Sequence, residues 1–403
     1  MDAPRVPVGG RIAHYRHKNG NRSQAAVAGL CGISVRYLSL IENGKRIPSY
    51  DVLVRLAAEL GVPVAALIAE DTPAVVAAPL TIESGVARAF MGYGSPAVGT
   101  PAAPVLRDRV DQAWTSWQCS EQRFTDAAQT LPELIADIEH AVRSHRHGND
   151  PTARRDVLRT TADLYGLLRS YCRRTGRLDL SLMAADRAMR AAEDADDPVR
   201  IAAASWNLAH ALLSDTRDGA AQEATEVALQ AVDQLRREPA GRETAAMQGA
   251  LHLVAAVAAA RQRQWWQARE RLQQHAAPLG RTAREDNVQW TVFGPTNVSL
   301  YAVSVEMIAG EAADALRMAD GIDTGQIPSR ERGFTFAVEL ASCCAMRRDD
   351  AGLLVHLLRA EELSLEDFVR SPVALDLLTG LRRRGRRTYR GQVDALARRV
   401  GLV

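Results

Sequence analysis

The sequence predicts an all-α protein in which a small N-terminal domain of short helices precedes a long array of helical hairpins. The chain of 403 residues is 47% hydrophobic but only 5% aromatic. Such a composition favours helices over sheets. From Val105 to Val403 a helical hydrophobic pattern recurs in units of roughly 35 to 45 residues, the length of helical-hairpin repeats. The length allows for roughly two to three domains.

Two short helices joined by a tight turn are predicted at Ser23–Pro48. Ser23 and Ser34 suit the two N-cap positions, because a serine hydroxyl accepts a hydrogen bond from an unpaired N–H of the first turn. The glycines at 29 and 32 interrupt the helical pattern where the tight turn is needed. Asn43-Gly44 ends the second helix. Further short helices are predicted at 10–18, 49–60 and 63–68.

The second helix of this pair carries the side chains that we expect to read DNA bases. In a helix-turn-helix, this helix enters the major groove with its N-terminal residues at the base edges. The forked Arg36 side chain suits guanine, and Val35 suits a thymine methyl group. Residues around the two helix starts and beyond the second helix are expected to contact phosphates. The full predicted set is Gln24, Ser34, Val35, Arg36, Ser39, Lys45 and Arg46. The alternative is a helical bundle with an ordinary basic surface.

The amino-acid sequence of this segment resembles that of the DNA-binding domain of the XRE (Cro-like phage repressor) family. The similar positions are SQAAVAG, then GISVRYLSLIENGKRIPS, within Met1–Glu70. The resemblance implies a five-helix domain and, usually, a dimer on a two-fold-related DNA operator. The alanine-rich first helix of the motif departs from the family, because it lacks the acidic residues common there.

Charge and cysteine usage limit the function classes. The formal net charge is only +2, whereas Met1–Glu70 carries nine Lys/Arg against five Asp/Glu. A local excess of this kind supports phosphate contacts. The five cysteines have no zinc-like spacing, so we expect reduced, mostly buried thiols and no metal or cofactor. With no signal segment and no apolar run of about 18 residues, we expect a cytoplasmic protein without a membrane partner.

A Pro/Gly-rich linker is predicted at 71–104, because no helical or strand period is sustained there. A short helix around Val86–Met91 is expected within it. The alternative is that Phe90, Met91 and Tyr93 dock on the following domain.

Helical hairpins are predicted throughout 105–403, which we expect to be the sensor and dimerisation domain. The clearest unit is Ala162–Asp194, with a turn at Thr175-Gly176-Arg177. This period and the small residues of the second helices resemble tetratricopeptide (TPR) repeats in degenerate form, which implies a TPR-like α-solenoid. The stretch from Ala113 to Val142 resembles the beginning of the sensor half in many actinobacterial XRE regulators. The combined architecture resembles the RRNPP group of peptide-sensing regulators and implies an effector-controlled repressor or activator.

The first helices of the hairpins are expected to line a concave face that binds the effector. Asn is informative there because its amide both donates and accepts hydrogen bonds, as a peptide ligand requires. The predicted effector-binding set is Asp163, Ser170, Arg173, Trp206, Asn207, His210, Asn297, Tyr301 and Glu339. The alternative is that these groups make ordinary hydrogen bonds between helices. Trp265 and Trp266 are expected in the core, and Trp290 either gates the groove or fills it.

Enzymes are the function class that the sequence disfavours. It contains no Gly-rich phosphate loop, no metal-binding helix motif and no nucleophile elbow. We therefore expect a homodimeric, sequence-specific transcriptional regulator whose operator affinity is controlled by a peptide or small-molecule effector. The alternative is a ligand-independent repressor, or an antitoxin-like protein whose repeats bind a partner protein.

Overall fold

The computed structural model describes residues 8–18, 20–46, 48–62, 67, 83–92, 101–146, 150–215, 217–323, 325, 327, 329–384 and 388–402. Every regular element within these ranges is helical, so the predicted all-α fold class is confirmed. Contacts between residues divide the chain into two units, Met1–Leu80 and Thr81–Val403.

The first unit is a cluster of short helices around one apolar core. Its helices are α1 (Val8–Lys18), α2 (Gln24–Leu30), α3 (Val35–Glu42) and α4 (Tyr50–Glu59). Each helix contributes side chains with almost no exposed surface, among them Ile12, Val27, Leu38 and Leu56. Of the predicted fifth helix at 63–68, only the buried Leu67 lies within the described residues.

The second unit is a succession of helices joined by short turns. In chain order they are α5 (Glu83–Phe90), α6 (Ala103–Cys119), α7 (Arg123–His145), α8 (Pro151–Arg174), α9 (Leu178–Asp194), α10 (Pro198–Leu212), α11 (Ala220–Leu235), α12 (Arg242–Arg261), α13 (Trp265–Glu270), α14 (Ala277–Ala283), α15 (Pro295–Ala309), α16 (Ala312–Ala319), α17 (Arg330–Met346), α18 (Asp350–Leu363), α19 (Leu365–Arg370), α20 (Pro372–Arg384) and α21 (Arg390–Arg399). A π-helical turn, Arg271–Ala276, joins α13 to α14.

The helices pack as hairpins at the positions that the sequence pattern predicted. In the clearest unit, α8 and α9 are joined through Gly176, whose φ of +78° is easily reached only by a residue without a Cβ. The face of α9 toward the array consists of alanines such as Ala184, Ala188 and Ala192, all fully buried. Their small side chains let neighbouring helices approach closely and bury a continuous core.

Helix α5 lies where the sequence predicted a short helix within a linker. Its Phe90 ring is buried and contacts Tyr165 edge-to-face. The Arg187 guanidinium stacks on the Phe90 ring, 4.4 Å from the ring centre. This helix therefore packs within the second unit. Much of the rest of the predicted linker, at 71–82 and 93–100, lies outside the described residues.

The two ends of the array meet. At the start of α7, the Arg123 guanidinium forms a bidentate ion pair with Asp367 of α19, across 244 residues of sequence. Both side chains are almost fully buried. Next to them the Glu366 carboxylate accepts hydrogen bonds from Phe124 N at 2.8 Å and from the Thr125 hydroxyl. The early and late helices are thus fixed to each other by charge as well as by packing.

Two smaller expectations have different outcomes. Four of the five cysteines are buried as free thiols, but Cys119 is exposed. The prediction that Trp266 packs in the core is wrong, because 82% of its surface is exposed at the start of α13. Among the described residues, no single helix is long and apolar enough to cross a membrane. Helices α2 and α3, a sharply bent pair, reach the necessary length and apolarity only when they are taken together.

Candidate functional site

The α2–turn–α3 segment is built by local hydrogen bonds that the sequence signals well. The Ser23 hydroxyl accepts from Ala26 N at 3.2 Å, and the Ser34 hydroxyl accepts from Tyr37 N at 3.1 Å. Between the helices Gly32 has a φ of +62°, and the chain bends by 112°. The two helices therefore have the steep crossing that a helix-turn-helix needs.

Helix α3 is held by its inner face, so its outer face is free for contact. Leu38 and Ile41 are buried, whereas Val35 is 46% exposed and Arg36 is also exposed. Helix α1 packs so closely on the end of α3 that a Cβ added to Gly9 would lie 2.0 Å from the Ile41 carbonyl oxygen. The position of α3 is thus set by direct backbone contact.

A buried ion pair anchors α3 to both preceding helices. The Arg16 guanidinium of α1 donates two hydrogen bonds of 2.8 Å to the Glu42 carboxylate at the end of α3. Gln24 Nε2 of α2 donates a third, also at 2.8 Å. Burial opposes ionisation of Glu42, but these hydrogen bonds and the charge of Arg16 outweigh it and lower the pKa of the carboxyl.

The predicted DNA-contacting residues fall into two groups. Val35, Arg36, Lys45 and Arg46 are exposed on α3 or just beyond it, Ser34 is an exposed N-cap, and Ser39 is partly exposed. Gln24 begins α2 as predicted, but its side-chain amide is engaged with Glu42. A phosphate contact at this position is therefore left to the backbone N–H groups of the helix start.

The second unit contains an open cavity of about 320 Å³. Its wall comes from the first helix of successive hairpins, namely α6, α8, α10, α12, α15 and α17, and from the loop before α15. These are the helices that the sequence analysis expected to line a concave face.

Most of the predicted effector-binding residues line this cavity. They are Ser170, Arg173, Trp206, His210, Asn297, Tyr301 and Glu339. Asp163 and Asn207 do not. They line a separate space of about 10 Å³ that shares Trp114 and Trp290 with the main cavity.

Asp163 and Asn207 are held by hydrogen bonds within the protein. The Asp163 carboxylate is buried between the guanidinium groups of Arg107 and Arg200. The Asn207 side-chain oxygen accepts from Arg169, and its Nδ2 donates to Ala203 O at 3.0 Å. Both side chains are thus engaged within the protein, away from the main cavity.

Arginines that the sequence analysis did not select dominate the wall. Arg169, Arg174, Arg261 and Arg332 line the cavity together with the predicted Arg173. Helical spacing was the available signal for Arg169, since residues four apart, such as Arg169 and Arg173, lie on the same face of a helix. Arg261 and Arg332 come from distant helices and had no local signal.

Glu331 is the carboxylate around which these arginines gather. Its Oε1 accepts hydrogen bonds from Arg174 Nε at 2.9 Å and Nη2 at 2.6 Å, and its Oε2 lies 3.0 Å from Arg123 Nη1. Burial opposes its ionisation, but the charges of Arg174 and the neighbouring arginines hold the pKa of Glu331 well below its usual range. Since Arg123 also pairs with Asp367, the cavity wall is continuous with the contact between the ends of the array.

Arg332, the residue after Glu331 in α17, contacts several of the other lining residues. Its Nε donates to the Asn297 side-chain oxygen at 3.2 Å, and its guanidinium lies 4.7 Å from the centre of the Tyr301 ring. Its Nη1 lies 3.8 Å from Glu339, whose Oε1 also accepts from the Ser304 hydroxyl at 2.6 Å. Burial raises the pKa of Glu339 despite the nearby Arg332 charge.

A strained loop forms one edge of the cavity. Gln289, Trp290 and Val292 have φ values of +48°, +62° and +51°, which non-glycine residues rarely adopt. The Trp290 ring is stacked on Trp114 at 5.4 Å, and the Trp290 carbonyl accepts a hydrogen bond from Gln118 Nε2 at 3.0 Å. Backbone strain of this kind persists only where the surrounding contacts hold the chain in place, and it is often found in segments that bind ligands. Trp290 thus borders the cavity, consistent with the expectation that it gates or fills the groove.

Comparison with known proteins identifies the N-terminal domain. Residues 15–67 match a family described as Helix-turn-helix, and the chain carries an XRE-type DNA-binding domain there. No curated protein sequence matches the chain.

Solved structures similar to the chain include Bacillus thuringiensis PlcR in complex with the peptide PapR7 and DNA. That structure is 11% identical with a TM-score of 0.24, and the match covers 89% of this chain and 94% of that one. Another is the apo form of ComR from S. thermophilus, which is 10% identical with a TM-score of 0.34, covering 93% and 98%.

Proposed function

We propose that this chain, with an XRE-type helix-turn-helix domain at its N-terminus, is a sequence-specific transcriptional regulator. In this proposal it binds its operator as a homodimer, and an effector bound in the cavity of the second unit controls operator affinity. The single observation that carries the regulator assignment is the helix-turn-helix, with an exposed outer face on a rigidly held α3.

The exposed face of α3 supports sequence-specific contact with DNA. Arg36 is positioned in the first turn of this helix, where a guanidinium reaches guanine O6 and N7 in the major groove. Val35 beside it offers an apolar surface to a thymine methyl. Lys45 and Arg46 follow the helix end with exposed side chains, in positions suited to phosphates.

Dimerisation follows from the energetics of a small domain on DNA. One helix-turn-helix presents a single recognition helix, whereas operators of this type are read by two helices about one DNA turn apart. Joining two such domains multiplies affinity because the second contact becomes intramolecular. We infer that the second unit supplies the contact between subunits.

The cavity supports control by an effector. It combines buried polar groups, aromatic rings and a strained loop around one cavity. Pockets of roughly 300–1,000 Å³ with a few convergent polar groups are typical of small-molecule sites. A ligand that contacts Arg173 or Glu331 also acts on Arg123 and so on the contact between the array ends. A change in that contact is a route by which occupancy alters the spacing of two recognition helices.

Selection of duplexes from a randomised pool by the full-length chain tests the regulator assignment. We expect an enriched inverted repeat, bound far more tightly than random DNA. The variant Arg36→Ala should lose that preference while keeping its affinity for random DNA. A pool without enrichment after repeated rounds would contradict the proposal.

The competing function, in which the repeats bind only a partner protein, differs in one measurement. An effector that binds the native state raises thermal stability by mass action. Stabilisation by a low-molecular-mass fraction supports the effector, whereas stabilisation solely by a protein recovered with the chain supports the alternative.

A further inference from the structure

The charges lining the cavity are strongly unbalanced. Among the described residues, five arginines and two glutamates contribute to its wall: Arg169, Arg173, Arg174, Arg261, Arg332, Glu331 and Glu339. Buried charges are costly unless they are paired with opposite charge and hydrogen-bonded. The protein itself therefore leaves an excess of positive charge in this volume.

The ion pairs show which arginines carry the excess. Arg174 has the closest contact with Glu331, and Arg173 lies farther from the same carboxylate, at 3.6 Å. Arg169 is almost fully buried, and its guanidinium is hydrogen-bonded to the neutral Asn207 side chain. Arg261 at the cavity mouth donates to the backbone carbonyl of Leu213. Within the described part of the chain, neither Arg169 nor Arg261 has a carboxylate within ion-pair distance.

Two buried nitrogens on this wall also lack hydrogen-bond partners within the described residues. They are Arg173 Nε, which is always a donor, and His210 Nε2, which donates in one tautomer of the neutral imidazole. Burial and the charges of Arg169 and Arg173 lower the pKa of His210 well below its ordinary value, so the imidazole is neutral at pH 7. Native proteins rarely leave buried donors unpaired, and each one calls for an explanation. An acceptor atom of a ligand between these two side chains would satisfy both when the His210 proton is on Nε2.

An aromatic surface lies beside the unpaired donors. The Trp206 ring contacts His210 edge-to-face at 4.4 Å between centroids, and the Arg169 guanidinium lies 5.2 Å from the Trp206 ring centre. Trp290 and Tyr301 contribute further ring surface to the same cavity. This combination suits a ligand with an apolar or aromatic body attached to a charged group.

We propose that the cavity binds a compact organic anion, with its acidic group at Arg173 and His210 and its body against Trp206. This inference rests on the proposed function, since it names the chemical class of the effector for that site. The volume of about 320 Å³ is at the lower end of ligand pockets, so the occupant is a small acid or the carboxylate end of a short peptide.

Fluorescence quenching of the full-length chain tests the preference for anions without knowledge of the ligand. Substituting Trp265→Phe and Trp266→Phe removes two tryptophans outside the cavity, leaving a signal in which Trp114, Trp206 and Trp290 line it. Iodide, caesium and neutral acrylamide are the probes, at matched low ionic strength. We expect the ratio of iodide to caesium quenching to exceed that of a free tryptophan amide by roughly tenfold, because clefts lined by one sign of charge concentrate counter-ions. A ratio equal to that of the free tryptophan amide would overturn the proposal.

Charge variants assign the effect to the cavity. Arg173→Gln should reduce the excess of iodide over caesium quenching, and Arg173→Lys should restore it. Arg236→Gln is the matched control, since Arg236 is an exposed arginine paired with Asp233 outside the cavity. If Arg173→Gln does not fold, Arg261→Gln at the exposed mouth takes its place. An excess that survives in the cavity variants would refute the assignment.

Fractionated extracts distinguish the two sources of the anion. Low-molecular-mass material from cells and spent medium is divided on an anion exchanger, and each fraction is tested for a rise in the melting temperature of the chain. We expect the stabilising material in the retained fraction, active on the wild type but not on Arg173→Gln. Loss of activity after protease treatment identifies a peptide, and survival identifies a small acid. The anion inference would be overturned if only the unretained fraction stabilised the chain, or if no fraction did. Operator selection by the chain would be unaffected by that failure.

Discussion

The buried ion pair between α1 and α3 should be the most sensitive charge in the helix-turn-helix domain. Glu42→Ala removes the carboxylate that accepts two hydrogen bonds from Arg16 and one from Gln24. Only 9% of the Arg16 side chain and 6% of the Glu42 side chain are exposed, so the arginine left behind would be buried without its partner. Breaking such a pair costs about 3–5 kcal/mol.

That cost is large beside the stability of so small a domain. At roughly 0.05–0.15 kcal/mol per residue, a domain of about 60 residues has only about 3–9 kcal/mol of stability in total. We therefore expect Glu42→Ala to open α1–α3 in a large fraction of molecules and to abolish specific DNA binding. Hydrogen–deuterium exchange of peptides from 8–46 in the full-length chain measures the loss directly.

Glu59→Ala is the matched control within the same domain. Its carboxylate pairs with Arg22, but both side chains are 27% exposed, and Arg22 keeps a hydrogen bond to the Glu59 backbone carbonyl. Exposed pairs of this kind contribute about 0–1 kcal/mol. Equal losses of protection in the two variants would refute the reasoning that burial makes the Glu42 pair dominant.

The same pair predicts a pH dependence with a definite sign. Because the folded-state pKa of Glu42 lies below its ordinary value of 4.5, ionised Glu42 stabilises the folded domain above that pH. The stabilisation is lost as the pH falls through the lower folded-state pKa. The difference in protection between the wild type and Glu42→Ala should therefore be constant above about pH 5 and shrink in more acidic solution.

Three further predictions concern DNA contact and packing. Arg36→Ala should weaken binding to the selected operator by about 1–3 kcal/mol but leave binding to random DNA nearly unchanged. Lys45→Ala should weaken binding to both and reduce the slope of log affinity against log salt concentration by about one, as titrations at several salt concentrations would show. Identical profiles for the two variants would contradict their assigned roles. Gly9→Ala should destabilise the first unit because its Cβ would lie 2.0 Å from a backbone oxygen of α3. Gly10→Ala should be tolerated, since its Cβ would have no other atom within 4 Å. Hydrogen–deuterium exchange rates of α1 and α3 in both variants test this difference. Asp367→Asn removes one partner of the buried Arg123, which keeps Glu331 as a second partner. It should therefore lower the free energy of unfolding of the second unit by about 1.5–3 kcal/mol in urea titrations. A change below about 1 kcal/mol, typical of exposed pairs, would show that the pair is solvated.

Local features of the fold were predictable from sequence because their causes are local. The caps at Ser23 and Ser34 and the turn at Gly176 each depend on hydrogen bonds or backbone angles within a few residues. The hairpin period likewise follows from helical periodicity, which needs only a short window of sequence. These local features are enough to predict most of the all-α fold and the position of the recognition helix in the sequence.

The inner surface of the cavity was only partly predictable because helix rotation decides it. Trp206 and His210 are one turn apart and both line the cavity, whereas Asn207 is rotated by about 100° from Trp206 and accepts a hydrogen bond from Arg169 of α8. A pattern of hydrophobic residues specifies the buried side of a helix broadly, but both surfaces of these first helices are partly buried. Polar residues on adjacent positions therefore could not be assigned to cavity or contact by period alone.

The carboxylate partners of the arginine cluster had no sequence signal because they are remote in the chain. Arg174 meets Glu331 across 157 residues, and Arg123 meets Asp367 across 244. These contacts exist only once the array brings its ends together. The chemical class of the proposed effector could therefore be inferred only from the folded arrangement.

Operator affinity with the cavity empty and occupied is the most direct test of the central claim, that an anion bound in the second unit controls DNA binding by the first. The measurement compares the dissociation constant of the selected operator with and without the stabilising anionic fraction, for the wild type and for Arg173→Gln. The account predicts a change of about 5–150-fold in the wild type, the usual range of coupling between sites, and no change in the variant. An unchanged wild-type constant at saturating ligand, or an equal response in the variant, would contradict it.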